Sequence, residues 1–159
     1  MIYLIRHAEA GDRTSWNGTD FLRPLTDAGR FQASRLVELL GDAHFSRIAS
    51  SPFIRCMQTV EPLSSHLQLL IEPVDALAEG ANVSDTLALL SGCSQDGAVF
   101  CSHGDVIPNL LGYLAATTAL DLGHDPRCAK GSIWALATDG LGNVTTATYS
   151  LVPKSRCVK

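Results

Sequence analysis

Apolar positions along this chain follow two periods. Ile2-Tyr3-Leu4-Ile5 is an unbroken run that stops at Arg6-His7, and Ala98-Val99-Phe100-Cys101 is another that stops at Ser102-His103. Continuous runs of this length, rich in strand formers, mark strands buried on both faces, as in a parallel sheet. Arg47-Ile48-Ala49-Ser50 and Leu69-Leu70-Ile71 are weaker strand candidates. Elsewhere the period is helical. Ala33, Leu36, Val37 and Leu40 recur as i, i+3, i+4, i+7, between a Thr26-Asp27 start and a stop at Gly41. Ile107, Leu110, Leu111 and Leu114 repeat that spacing. Ser51-Pro52 reads as the N-cap and first residue of a helix carrying Phe53, Met57, Val60 and Leu63, with Pro62 set to kink or end it. Ser84 is expected to cap a short helix through Leu90. Ser132–Thr138 and Val144–Ser150 flank Asp139-Gly140-Leu141-Gly142-Asn143, a hairpin pattern.

Strands alternating with helices predict an α/β domain. The expected form has three layers, α/β/α, with a largely parallel central sheet and an antiparallel C-terminal hairpin. With 159 residues and neither repeat nor long linker, residues 1–159 are expected to form a single domain. Sheets of this kind place ligands at the carboxyl ends of the strands. Chemistry is therefore expected in the loops after Ile5, Ser50 and Cys101.

Composition narrows the function. The chain is 46% hydrophobic and 18% charged, which argues against disorder. A net charge of −4 disfavours a nucleic-acid partner, which needs a basic face. It still allows one phosphate held by a few local cations. Five cysteines without a CxxC pair fit reduced thiols better than disulfides or a zinc site. Arg6 and His7 break the first apolar run, so a secretory signal is not expected. No apolar stretch approaches the roughly 18 residues that span a bilayer. A cytoplasmic protein with no membrane partner is the resulting expectation.

The three strand ends carry the candidate chemistry. Two deliver His7 and His103, and the third leads to Arg55, one turn into its helix. A helix N-terminus with Arg6 and Arg55 beside it suits a tetrahedral dianion, because guanidinium forks match phosphate oxygens. Phosphoryl transfer needs mainly positioning and charge neutralisation. A neutral imidazole can be the nucleophile, kept neutral by nearby arginines, with its second nitrogen bonded to a backbone carbonyl. Such a site needs no metal and no cofactor, since the arginines supply the charge. A cysteine nucleophile would need an arginine in its own phosphate loop, and Cys101 is followed by Ser-His-Gly-Asp-Val-Ile.

These segments together resemble the histidine phosphatase superfamily, which includes the cofactor-dependent phosphoglycerate mutases. Leu4-Ile5-Arg6-His7-Ala8-Glu9-Ala10 is similar to its Arg-His-Gly signature, with alanine at position 8. Ser50-Ser51-Pro52-Phe53-Ile54-Arg55-Cys56-Met57-Gln58-Thr59 is similar to its second signature, and Ser102-His103-Gly104-Asp105 to its third. Arg23-Pro24-Leu25-Thr26-Asp27-Ala28-Gly29 resembles the compact branch of SixA-like phosphohistidine phosphatases. Lys130-Gly131-Ser132-Ile133-Trp134 looks like the C-terminal phosphatase domain of some actinobacterial two-domain Nudix hydrolases. The resemblance implies His7 as nucleophile, with Arg6, Arg55 and His103 binding the phosphoryl group. It places the acidic proton donor at Glu79, with Asp75 the neighbouring alternative. Arg13 stands where the mutases carry asparagine, which argues against mutase activity. The implied function is a metal-independent phosphatase. Its expected partner is a phosphorylated protein, a protein phosphohistidine above all, or a small phosphorylated metabolite or nucleotide. A non-catalytic phosphate-binding module is the alternative from another class.

Overall fold

The computed structural model describes residues 1–93, 97–123, 126–139 and 141–154. Six strands form one sheet: β1 (Ile2–Arg6), β2 (Arg47–Ser50), β3 (Ile71–Pro73), β4 (Ala98–Ser102), β5 (Ser132–Thr138) and β6 (Val144–Leu151). Their order is β3-β2-β4-β1-β5-β6. The first four run parallel, and β5 and β6 join antiparallel to β1 and to each other. The helices are α1 (Asp27–Leu40), α2 (Ile54–Leu67), α3 (Val83–Ser91) and α4 (Val106–Thr118).

Alternation along the central strands builds the layers. Leu4 and Phe100 point to one core, with Ile107, Leu110 and Leu111 of α4 and Leu90 of α3. Ile5, Val99 and Cys101 point to the other, with Leu36 of α1 and Val60 and Leu63 of α2. Successive strand residues face opposite sides, so continuous apolar runs require helices on both. The predicted three-layer α/β/α architecture with its terminal hairpin is the one observed.

Several local expectations change. Thr26 does cap α1, accepting from the Gly29 N–H at 3.1 Å, and Gly41 ends it. But α2 starts at Ile54, not Pro52, and its N-cap is Phe53. Arg55 is thus its second residue, not one turn in. Its buried face is Arg55, Cys56, Thr59, Val60 and Leu63 rather than Phe53 and Met57, because its first turn faces the strand ends. Pro62 does not end α2, which runs on to Leu67; Val60 and Leu63, buried on either side of it, hold the helix in the core. Asn82, not Ser84, stands at the start of α3. β3 begins at Ile71 because Gln68 closes α2 with φ of 57°, leaving Leu70 exposed. Trp134 packs in the core; Trp16 instead lies over Gly18 at the surface, with Nε1 donating to the Thr19 carbonyl. His44 and His66 are exposed. His124, Gly140 and Cys157 lie outside the described residues, and the four described cysteines are free. Among the described residues no helix is long and apolar enough to cross a membrane.

Gly29 shows how tightly α1 meets the chain after β1. A Cβ there would lie 1.9 Å from the Glu9 carbonyl oxygen, a backbone atom fixed by the Thr26 N–H at 3.0 Å. Gly112, in α4, has nothing within 4 Å. Gly29→Ala is therefore expected to destabilise the fold by about 3 kcal/mol or more. Gly112→Ala should be neutral or stabilise by up to about 1 kcal/mol. Urea melts of the two variants check this, and equal effects would contradict the packing described.

Candidate active site

Strand register sets the site. Arg6 pairs with Ser102 across β1 and β4, so the next residues, His7 and His103, leave the sheet side by side. The His7 N–H donates to the Ser102 carbonyl at 2.9 Å, and the two rings lie 5.4 Å apart. Ser50 pairs with Cys101 across β2 and β4, which brings the start of α2 to the same edge. Thr59 fastens the two parts. Its hydroxyl donates to the Arg55 carbonyl at 2.6 Å and accepts from the Ala8 N–H at 3.0 Å.

His7 is 5% exposed. Its Nδ1 lies 2.8 Å from the Ala8 carbonyl, which can only accept, so Nδ1 carries the proton and Nε2 keeps its lone pair. Burial is the main force drawing its pKa from 6.5 to about 3, against the Ala8 bond. Repulsion from His103 in its protonated form, and from Arg55 and Arg6, adds to the shift. The arginines were expected to keep this ring neutral; desolvation does more.

Arg6 and Arg55 approach from two sides. The Arg6 guanidinium passes over Gly104, where a Cβ would lie 2.5 Å from its Cζ, and Nη1 donates to the Cys128 carbonyl. Arg55 is fully buried, its guanidinium stacked over Phe53 at 4.7 Å. Its Nη1 donates to the Asp20 carbonyl at 2.8 Å, and Nη2 meets Asp20 Oδ2 at 3.1 Å and Glu79 Oε2 at 2.9 Å. Among the described residues the Nε atoms of Arg6 and Arg55 are buried without a partner. Two orphaned cationic donors are costly unless an acceptor reaches them, and a tetrahedral oxyanion offers several.

Arg6, His7, Arg55, His103 and Glu79 all line one cleft of about 580 Å³. Asp75 does not line it; it is exposed on the 3-10 turn Asp75–Leu77. That turn is pinned by the Ser102 hydroxyl donating to the Leu77 carbonyl, and Gly80 N–H donates to Asp105. Glu79 also accepts from Arg13 at 2.7 Å.

Three further residues join the site. Asp20, on the 3-10 turn Asp20–Leu22, joins three arginines: besides Arg55 it meets Arg23 at 2.7 Å and Arg13 at 3.2 Å. Burial works against its charge, but the arginines hold its carboxyl below the usual range. Arg23 is buried, lines the cleft and donates to the Gly11 carbonyl. Lys130 also lines it and binds Glu9, which Lys154 holds from outside. Asp20 and Arg23 sit at spacing i, i+3, a detectable pair, but nothing local tells that they turn toward Arg55. Among the described residues no group of three or more His, Cys, Asp or Glu side chains is placed to hold a metal ion.

The low pKa of His7 has a consequence for stability. Between about 6.5 and about 3 the unfolded chain binds a proton at this ring that the folded chain does not. Folded stability therefore falls as pH drops through that window. His7→Gln removes this dependence. At pH 4.5 the variant should have gained about 2 to 3 kcal/mol relative to wild type, compared with their difference at pH 7.5. Urea melts at both pH values measure it, and parallel behaviour would contradict a buried neutral His7.

The family model for the histidine phosphatase superfamily, branch 1, matches residues 2–85. An 8-oxo-(d)GTP phosphatase of Mycolicibacterium smegmatis is 32% identical over 98% of the chain, which spans about half (49%) of that relative's length. The structure of the protein histidine phosphatase SixA complexed with tungstate superimposes with a TM-score of 0.71 at 23% identity, over 96% of each chain. Bacillus stearothermophilus YhfR gives 0.72 at 18% identity, over 91% of this chain and 93% of its own. At those identities the two structures speak for the fold alone. The family match covers the strand-end histidine and the helix carrying Arg55, and on it the chain belongs to the histidine phosphatase superfamily, branch 1.

Proposed function

We propose that this protein is a metal-independent phosphatase that works through a phosphohistidine on His7. The observation that carries the proposal is the buried, neutral His7 ring, fixed through Nδ1 and lining one cleft with the guanidinium side chains of Arg6 and Arg55. Nε2 attacks phosphorus. Arg6, Arg55 and His103 take the equatorial oxygens, where positioning and charge matter most. In the free site Arg55 Nη2 is held by Glu79 and Asp20. An arriving phosphoryl oxygen replaces Glu79 there, and Glu79 keeps Arg13. Glu79, now beside the leaving group, protonates it in its acid form and afterwards draws a proton from the water that releases phosphate from His7.

Two substrate classes remain in play. A protein phosphohistidine has the support of the SixA-like resemblance in sequence and of the fold shared with SixA. A small phosphorylated metabolite or nucleotide has the support of the 32% identical 8-oxo-(d)GTP phosphatase. The cleft adds an observation for the second: Arg13, Arg23 and Lys130 line it beyond His7, Arg6, Arg55 and His103, giving polar grips for the rest of a small anion. A non-catalytic binding module would need no nucleophile, and the ordering of His7 disfavours it.

Incubation with a labelled activated phosphate donor, followed by a base quench, should leave acid-labile, base-stable label on wild type and none on His7→Ala. Label or turnover surviving in His7→Ala would mean a different nucleophile. Glu79→Gln tests the proton donor with two leaving groups. Turnover of an alkyl phosphate ester should fall about 10²- to 10⁴-fold. Turnover of a phosphohistidine peptide should change little, because imidazole departs without strong acid help. Equal losses on both substrates would remove Glu79 from the role of proton donor.

A further inference from the structure

We infer that Ser51 is a positioning residue that fixes the tautomer of His103, so that its Nδ1–H faces the cleft as a phosphoryl donor. The inference rests on the proposed role of His103 at the phosphoryl group and adds how that role is enforced.

Ser51 is fully buried, where β2 gives way to the start of α2. Its N–H donates to the Cys101 carbonyl at 2.9 Å, which ties it to the strand that delivers His103. Its hydroxyl oxygen lies 2.8 Å from His103 Nε2 and 3.4 Å from the Phe53 N–H. The amide can only donate. The hydroxyl hydrogen, then, has one acceptor among these two neighbours, the lone pair on Nε2. In that arrangement both groups are satisfied, and the single proton of the neutral ring sits on Nδ1. With the proton on Nε2 instead, the oxygen would accept twice and its own hydrogen would be left in a buried site without an acceptor here, which is costly.

The other side of the ring opposes this assignment only weakly. Nδ1 lies 3.4 Å from Arg55 Nη2, a group that only donates, but Nη2 has nearer acceptors in Glu79 Oε2 at 2.9 Å and Asp20 Oδ2 at 3.1 Å, and the Ser51 contact to Nε2 is much the shorter. Once a phosphoryl oxygen takes the place of Glu79, an Nδ1–H and Nη2 can donate to the same acceptor. Phe53, at 4.9 Å and nearly perpendicular, packs against the ring and keeps it from turning over. Cys56 Sγ stands 3.5 Å from Nε2 and 3.8 Å from the Ser102 carbonyl, both longer contacts than the 2.8 Å between Ser51 and Nε2. Cys56 is the control for Ser51.

This reading gives Ser51 a task separate from capping. The sequence pattern Ser-Pro suggested an N-cap, yet α2 starts three residues later and the hydroxyl is spent on His103.

The test uses the protein labelled with ¹⁵N-histidine at pH 8 and two-bond ¹H–¹⁵N correlation spectra, with inorganic phosphate as the binding probe. Wild-type His103 should show a protonated Nδ1 and an unprotonated Nε2. Ser51→Ala should mix or invert that pattern and weaken phosphate binding about tenfold by titration calorimetry. Cys56→Ala should leave the pattern in place. In a His103→Ala background, Ser51→Ala should cost no further affinity. A wild-type Nε2–H or a doubly protonated ring overturns the inference. So does an unchanged tautomer in Ser51→Ala, or an equal loss of affinity in both backgrounds, which would mark a purely structural serine. None of these readouts needs turnover, so a failure of the phosphatase reading remains distinguishable from a failure of this one.

Discussion

Arg55 is a buried positive charge at the floor of the cleft, and much of the site follows from that. A buried guanidinium is tolerated only with close anionic partners and well-formed hydrogen bonds. Asp20 comes from the loop before α1 and Glu79 from the loop before α3, and both close on it. Each brings a further arginine, Arg23 with Asp20 and Arg13 with both carboxylates. Two loops distant in sequence are thereby gathered at the strand ends by one residue. The pairing still leaves Arg55 Nε, and Arg6 Nε across the cleft, without acceptors among the described residues. A site built this way is stable and still presents positive charge where a phosphoryl group would sit.

The sheet supplies the other half of the geometry. Parallel pairing of β1 with β4 makes His7 and His103 neighbours from segments almost a hundred residues apart. Gly131, with φ of 74°, lets its N–H reach the carbonyls of both Arg6 and His7. A side chain there would strike Gln32, itself a buried amide that accepts from the Glu9 N–H and donates to the Lys130 and Val152 carbonyls. The backbone around the proposed nucleophile is thus held from the far end of the chain as well as from α1 and α2. This rigidity suits a mechanism in which most of the work is done by fixed donors.

Most of this architecture was legible in the sequence, because β1 and β4 are continuous apolar runs that end in charged or polar residues, and α1 and α4 keep a clean helical period. Arg6, His7, Arg55, His103 and Glu79 were legible as a set, and all five line one cleft. What could not be read shares one cause: a side chain's partner lies far away in sequence. Asp20 looks like any loop carboxylate until Arg55 is placed beside it. Ser51 looks like a helix cap until His103 arrives from β4. The buried face of α2 was misjudged for a related reason. Its first turn packs against a polar site, so Arg55 and Thr59 are buried where apolar residues were expected.

In the proposed mechanism a phosphoryl group is taken in-line by His7 Nε2, held by Arg6, Arg55 and His103, with Glu79 moved off Arg55. A crystal structure with orthovanadate, which mimics the five-coordinate transferring phosphoryl group, tests it most directly. In that complex vanadium should be bonded to His7 Nε2, its equatorial oxygens on Arg6, Arg55 and His103, and Glu79 released from Arg55 while still paired with Arg13. Vanadate bonded to another side chain, or held in the cleft with the Arg55–Glu79 contact intact and His7 unbonded, would contradict it.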